Sequence, residues 1–260
     1  MATYVSKKQL QKLLPWGVPI AIILIWQLLS QFGLISNRVL PAPTAVAQAG
    51  IQLAVSGELF RHVYASASRA LTGFAIGGSL GFILGLLNGT FRLSERLLDT
   101  SIQMLRNIPH LAMIPLVILW FGIDDKARIF LVAIGVLFPI YINTFHGIRT
   151  VDQDLLEMGR VYGLKPWELF SQIILPSALP SILVGVRYAL GIMWLTLIVA
   201  ETIAADTGIG YMAMNAREFL QTDIVVFSIL MYALLGKLAD SIARFLETRL
   251  LQWHPSYQEV

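Results

Sequence analysis

Arg187 and Glu201 stand inside one long apolar stretch, "ILVGVRYALGIMWLTLIVAETIA", residues 182–204. An ionisable group in such surroundings is costly and often functional. On a helix the two are fourteen residues apart, about 21 Å along the axis, too far to pair with each other. Each also has a plainer reading. Arg187 lies about two turns in from one end, close enough for its long stem to snorkel to the surface. Glu201 lies near the other end, where solvent or hydrogen bonds could satisfy it. A second group precedes the apolar core of "RNIPHLAMIPLVILWFG": Arg106, Asn107 and His110, with Pro109 and Pro115 six residues apart. Proline inside a span frees backbone carbonyls, which are tolerated only where protein or a watery cavity satisfies them. The segment is either part of a solute path or a kinked packing helix. A third group is "TGIGYMAMNAREFLQTD", where Gly208 and Gly210 punctuate a turn and Tyr211, Met214 and Glu218 follow helical spacing. It reads as a short helix at one surface, either interfacial with a snorkelling Arg217 or part of a gate.

None of these groups makes a catalytic centre. The only Gly-Lys pair, Gly236-Lys237, is followed by Leu238, so no G-x-x-x-x-G-K-[ST] loop exists to cradle phosphates. There is no H-E-x-x-H and no G-x-S-x-G. His62, His110, His146 and His254 are scattered, without metal-ligand spacing. The absence of cysteine removes disulfides, thiolate metal sites and thiol nucleophiles. The chain is expected to be neither an enzyme nor a direct user of ATP.

The elements that hold these residues are set by composition. Of 260 residues 56% are hydrophobic and 13% charged, against about 25% charged in a soluble domain. The net charge of +3 is too small to argue for nucleic acid. Six apolar spans are expected, near 15–34, 68–87, within 105–122, 129–147, 180–204 and 224–246. The first follows Lys7, Lys8 and Lys12, is too long for a cleaved signal and is not closed by an A-x-A-like site. With the N-terminus inside, inner segments carry nine Lys and Arg against five outside, which favours both termini in the cytoplasm. The whole chain, 1–260, then forms a single transmembrane domain with a cytoplasmic loop at 150–176. Span two carries Gly73, Gly77, Gly81, Gly85 and Gly89, four apart throughout. This makes a smooth face for close helix packing, within the chain or between chains.

The cytoplasmic loop contains "EMGRVYGLKPWELFSQIILP", residues 157–176. Thr150, Asp152 and Asp154 offer N-caps, and Thr150 to Gln153 has capping-box spacing. Leu155, Met158 and Tyr162 form an apolar stripe. Gly163 supplies a stop, Pro166 suits a second helix start with Glu168 near its positive end, and Leu175-Pro176 closes it. The expected unit is helix, glycine turn, helix. Gly159 costs about 1 kcal/mol inside a helix relative to Ala, which makes sense if another surface approaches closely. The hairpin either rests on lipid headgroups or docks a partner.

The spacing of Glu157, Gly163, Ile173, Leu175 and Pro176 resembles the EAA loop of ABC importer permeases, E-A-A-x3-G-x9-I-x-L-P. Met158 and Gly159 stand where that motif has two alanines. Further stretches, among them "RLLDTSIQMLRNIPHLAMIPLVILWFGID", "ALGIMWLTLIVAETI" and "YALLGKLAD", are similar to permeases of the aliphatic sulfonate importers. Permeases for taurine, nitrate and bicarbonate share the general plan. The resemblance implies an all-α integral membrane protein of the type I, MetI-like fold. It would import an aliphatic sulfonate by alternating access, in a bacterial inner membrane. Glu157, Met158, Gly159, Gly163, Ile173, Leu175 and Pro176 would couple to a partner ATPase. That ATPase would bind ATP and magnesium, leaving no cofactor on this chain. The implied partners are two ATPase subunits, an extracytoplasmic solute-binding protein, a second copy of the chain and the bilayer. An anionic substrate would suit donors along a path, for which Arg106, Asn107, His110, Arg187, Trp194, Glu201 and Asn215 are the candidates.

Overall fold

The structure, a computed structural model, describes residues 7–254. Among them every regular element is helical. In chain order they are α1 (Lys7–Gln31), α2 (Pro43–Val55), α3 (Glu58–Thr90), α4 (Arg92–Arg106), α5 (Ile114–Phe121), α6 (Asp125–Arg149), α7 (Gln153–Val161), α8 (Pro166–Leu169), α9 (Leu175–Ala204), α10 (Ile209–Glu218) and α11 (Thr222–Leu250). A 3-10 turn, His110–Met113, precedes α5, and a π turn, Phe170–Ile174, joins α8 to α9.

Among the described residues four helices are long and apolar enough to cross a membrane: Glu58–Thr90, Asp125–Arg149, the continuous Pro166–Ile203 and Thr222–Leu250. Span three of the sequence reading is a bent pair, Arg92–Arg106 with His110–Phe121, turned by 78°. Its break lies at Pro109, which caps the 3-10 turn; Pro115 sits in the first turn of α5, where its missing N–H costs nothing. The first span corresponds to a shorter apolar helix, Gly17–Gln31, the end of α1. Lys7, Lys8 and Lys12 lie at the start of α1, and their side chains fall outside the described residues.

The chain forms two compact units. One contains residues 7–62 together with Met212–Leu230; the other contains Val63–Tyr211 and residues 231–254. In the first unit, Gln27 accepts from the Thr44 N–H at 3.2 Å, tying α1 to the start of α2. Ser30 donates to Asn37 at 2.8 Å. Gly50 lies directly under the Phe227 ring, so α2 and the start of α11 pack at ring contact.

The second unit is built on α6, whose buried residues Leu131, Val132, Val136, Ile140, Tyr141 and Thr144 face α3 on one side and α9 on the other. The glycine row of α3 lies along α6. A Cβ at Gly73 would stand 2.6 Å from Val132 Cγ1, and one at Gly85 2.7 Å from Thr144 Cβ. At Gly77 and Gly81 it would overlap the backbone carbonyls of Ala133 and Leu137, and at Gly89 it would meet Ile148. On the other side Gly147 lies against Ala178 and Ser181, and Gly185 against Asn143 and Pro139. Apolar side chains gain nothing by leaving lipid for one another, so close backbone approach and dispersion hold such helices together.

Gly77→Ala drives a methyl into a carbonyl that cannot move alone and should cost about 1–3 kcal/mol. Gly17→Ala, with no described atom within 4 Å of the new methyl, should be neutral or gain up to about 1 kcal/mol of helix propensity. Thermal unfolding of the detergent-purified variants measures both.

Candidate functional site

The 150–176 loop folds as a short helix closed at both ends, a glycine turn and the capped start of a second helix. Asp152, not Thr150, caps α7: its Oδ1 accepts from the Asp154 N–H at 2.9 Å. Thr150 instead ends α6, its hydroxyl donating to the His146 carbonyl at 2.8 Å. The chain has to leave one helix before it enters the next, and Thr150 is used for leaving. At the far end Leu164 N–H bonds to Gly159 O and Gly163 N–H to Arg160 O, both at 3.0 Å, a complete Schellman motif. Gly163 has φ +79°, a conformation that strains any side chain with a Cβ. Lys165 N–H donates to Glu168 Oε2 at 2.7 Å, opening α8.

The second short helix does not end at Leu175-Pro176. It continues through the π turn into α9. Leu175 N–H bonds back five residues to Phe170 O, and Pro176 follows at the start of α9. The wider turn gives the proline room, so span five is one helix from Pro166 to Ile203.

Gly159 is buried, and a Cβ there would stand 2.6 Å from Ile173 Cδ1 and 2.7 Å from Leu169 Cδ1. The surface that approaches this glycine therefore belongs to the chain's own second helix. Leu155, Met158, Val161 and Tyr162 are exposed on the outward face of α7. Gln153, Leu156, Glu157 and Arg160 lie on the opposite face, where they line a cavity of about 420 Å³ with Arg92 and Arg149. Glu157 is exposed and turned toward that cavity. Arg149 pairs with Glu95. Tyr141 donates to Asp99 at 2.6 Å and accepts from Asn88 at 2.8 Å, which fastens α4 to α3 and α6.

Among the path candidates of the second unit, no hydrogen bond or ion pair joins one to another within the described residues. Arg106 and Asn107 are exposed at the end of α4. His110 Nε2 lies 3.0 Å from Thr196 Oγ1. Trp194 is buried, and its indole nitrogen has no hydrogen-bond partner among the described residues. Asn215 is half-buried on α10, in the first unit. Arg187 pairs with Asp240 at 2.7 Å and reaches Glu247 at 3.7 Å, beside a cavity of about 510 Å³ between α9 and α11. It has partners on α11, and its side chain is 38% exposed.

Glu201 is 1% exposed. Its carboxylate accepts from Ser66 Oγ at 2.8 Å, Arg69 Nη1 at 2.9 Å, Gly210 N at 3.0 Å and Tyr232 OH at 3.0 Å. Arg69, itself 4% exposed, also donates to Asp125, to the Thr207 carbonyl and to the Thr207 hydroxyl. Ser66 accepts from Ile209 N at 2.9 Å. The carboxylate thus sits at the N-terminus of α10, where two backbone N–H groups point at it or its neighbour. Gly208 and Gly210 have no side chain because Glu201 occupies that space. Four donors leave this carboxylate no open position for a solute. Sequence reasoning missed Ser66, Arg69 and Tyr232. The available signal was an arginine one turn after a serine within an otherwise apolar span.

Residues 77–252 match the family described as binding-protein-dependent transport system inner membrane component. The chain belongs to this family. It is 64% identical to SsuC of Escherichia coli K12, named an aliphatic sulfonates transport permease protein, over 99% of this chain and 97% of that one. It is 47% identical to the SsuC of Bacillus subtilis 168, over 99% and 95% respectively. A solved amino acid ABC transporter with histidines superposes with a TM-score of 0.59 at 16% identity, covering 75% of this chain and 97% of its own. The fold is that of an ABC importer permease. As a member of an inner-membrane transport family, the chain is a membrane-embedded transport subunit rather than an enzyme.

The buried ion pair yields a double-mutant test. Arg69→Met leaves the buried Glu201 carboxylate without its cation and should cost about 3–5 kcal/mol, whereas Glu201→Gln leaves Arg69 still paired with Asp125 and should cost less. The double variant Arg69→Met/Glu201→Met should lose clearly less than the sum of the two, read as thermal unfolding in detergent.

Proposed function

We propose that this chain is the permease of an importer for aliphatic sulfonates. The observation that carries the substrate is the 64% identity to the Escherichia coli sulfonate permease across nearly the whole of both chains. Both termini face the cytoplasm, as the Lys and Arg bias favours. A loaded solute-binding protein docks on the outer side. Two ATPase subunits dock inside and bind the ATP and magnesium; this chain carries no cofactor.

The outward face of α7 supports the docking role. Leu155, Met158, Val161 and Tyr162 form an exposed apolar patch on a helix with closed caps, which is a surface for a protein partner. Gly159, Ile173 and Leu169 clamp α7 to the second helix, and the unbroken helix from Pro166 to Ile203 carries any displacement into span five. Glu157, Met158, Gly163, Leu175 and Pro176 belong to this lever. Nucleotide-driven closure of the ATPases would move the lever, and hydrolysis would reset it.

The α9–α11 face supports a second copy of the chain. Gly191 and Gly236 have open space beside them, and Tyr188 and Leu195 are exposed there. A sulfonate passing along this face would meet Arg187, whose charge is already shared with Asp240 and Glu247. It would therefore be held weakly enough to leave.

Deletion of the chain in a cell without a backup importer should abolish growth on an alkanesulfonate as sole sulfur source. Unchanged growth and uptake would sink the substrate reading. Uptake of taurine or nitrate lost in its place would reassign the substrate. Met158→Glu with Val161→Glu should release the co-purifying ATPase subunit while the permease itself stays folded. Sulfonate transport by the isolated chain in liposomes would overturn the permease reading.

A further inference from the structure

An apolar groove of about 380 Å³ runs between Leu86, Leu87, Phe91, Pro166, Trp167 and Phe170. Thr90 lines this groove and also the 420 Å³ cavity that holds Arg92, Arg149 and Arg160. An oily channel and a basic basin are therefore neighbours that share a wall.

The charge in the basin is uneven. Arg149 is neutralised by Glu95. Arg92 and Arg160 have no ion-pair partner among the described residues, and Glu157 is the one carboxylate lining the basin. Positive charge is left over. The site also lies at the ends of three spans: α3 stops at Thr90, α6 stops at Arg149, and the Pro166–Ile203 helix begins. Trp167, 73% exposed, stacks on Phe170 with ring centroids 5.8 Å apart. Amphipathic indole rings concentrate where hydrocarbon meets headgroups.

We propose that an anionic phospholipid binds here, its phosphodiester between Arg92 and Arg160 and an acyl chain in the groove against Leu86, Phe91 and Trp167. Basic pockets between helix ends suit anionic headgroups, and surplus positive charge disfavours a headgroup bearing its own ammonium. The groove needs a chain-shaped apolar occupant, which bilayer lipid supplies. A protein partner is the poorer fit, because the exposed apolar face of α7 lies on the side away from the basin. The bound lipid becomes part of the seat of α7, between that helix and the end of α3. This inference needs only that the chain is membrane-embedded, so it stands or falls separately from the sulfonate assignment.

The full-length protein is reconstituted in nanodiscs of equal phosphatidylglycerol and phosphatidylethanolamine, exchanged into detergent, and its retained lipid counted by mass spectrometry. Phosphatidylglycerol should be retained in preference. Arg92→Gln/Arg160→Gln should weaken that retention by about 30-fold, the worth of two interfacial basic side chains. Arg92→Lys/Arg160→Lys should keep most of it. Trp167→Ala should lower retention of both lipids. If the double Gln variant does not fold, Arg160→Gln alone, at an exposed position on α7, carries the test. Equal retention of the two lipids, or unchanged retention in the Gln variants, overturns the proposal. So does displacement of the lipid by inorganic phosphate with no effect of Trp167→Ala, which would mark a site for a free anion. Loss of a co-purifying ATPase subunit with lipid retention intact would assign the basin to that partner instead.

Discussion

The approach of α3 to α6 at backbone distance is the constraint on which the second unit rests. In lipid, apolar side chains lose nothing by facing hydrocarbon, so helices associate through dispersion and polar contacts. Five glycines at a spacing of four let the α3 backbone lie on the carbonyls of Ala133 and Leu137. With α3 so close, α6 can be buried on both sides and carry α9 on its other face through Gly147 and Gly185. Larger residues on α3 would push it off and separate the groups that meet at the helix ends.

Those groups meet because the helices are close. At one end Ser66 and Arg69 of α3 reach Glu201 of α9, and the carboxylate in turn anchors the start of α10. At the other end Asn88, Tyr141 and Asp99 tie α3, α6 and α4 together. A buried charge pair is weak evidence for net stability, since desolvation offsets much of the attraction. Its clearer contribution is geometric. It specifies where the α9–α10 turn sits, because any other placement strands a buried charge.

The α7 hairpin is attached to this frame by apolar contact and by a continuous helix. Gly159 is covered by Ile173 and Leu169, while the π turn carries the backbone past Pro176 into α9 without a stop. A movable element joined rigidly to one span transmits displacement, whereas a flexible joint would absorb it. The exposed apolar side chains on the outer face of α7 and the charged basin beneath it give the same short helix two different surfaces.

Much of this was legible in the amino-acid sequence because it depends on spacing along one helix or one turn. Apolar run length marked the spans, the four-residue glycine period marked the α3 face, and Gly163 with the EAA spacing marked the hairpin. Local signals were misread where two elements competed for one residue: Thr150 looked like a cap for α7 but terminates α6, and Pro176 looked like a stop but sits beyond a π turn. Only the tertiary structure decided the pairings. Arg69 meets Glu201 across 132 residues and Arg187 meets Asp240 across 53, and no sequence period encodes contacts between different helices. Sequence spacing specifies which side chains share a face. Which faces meet is settled by packing, and so are the partner of each buried charge and the second surface of α7.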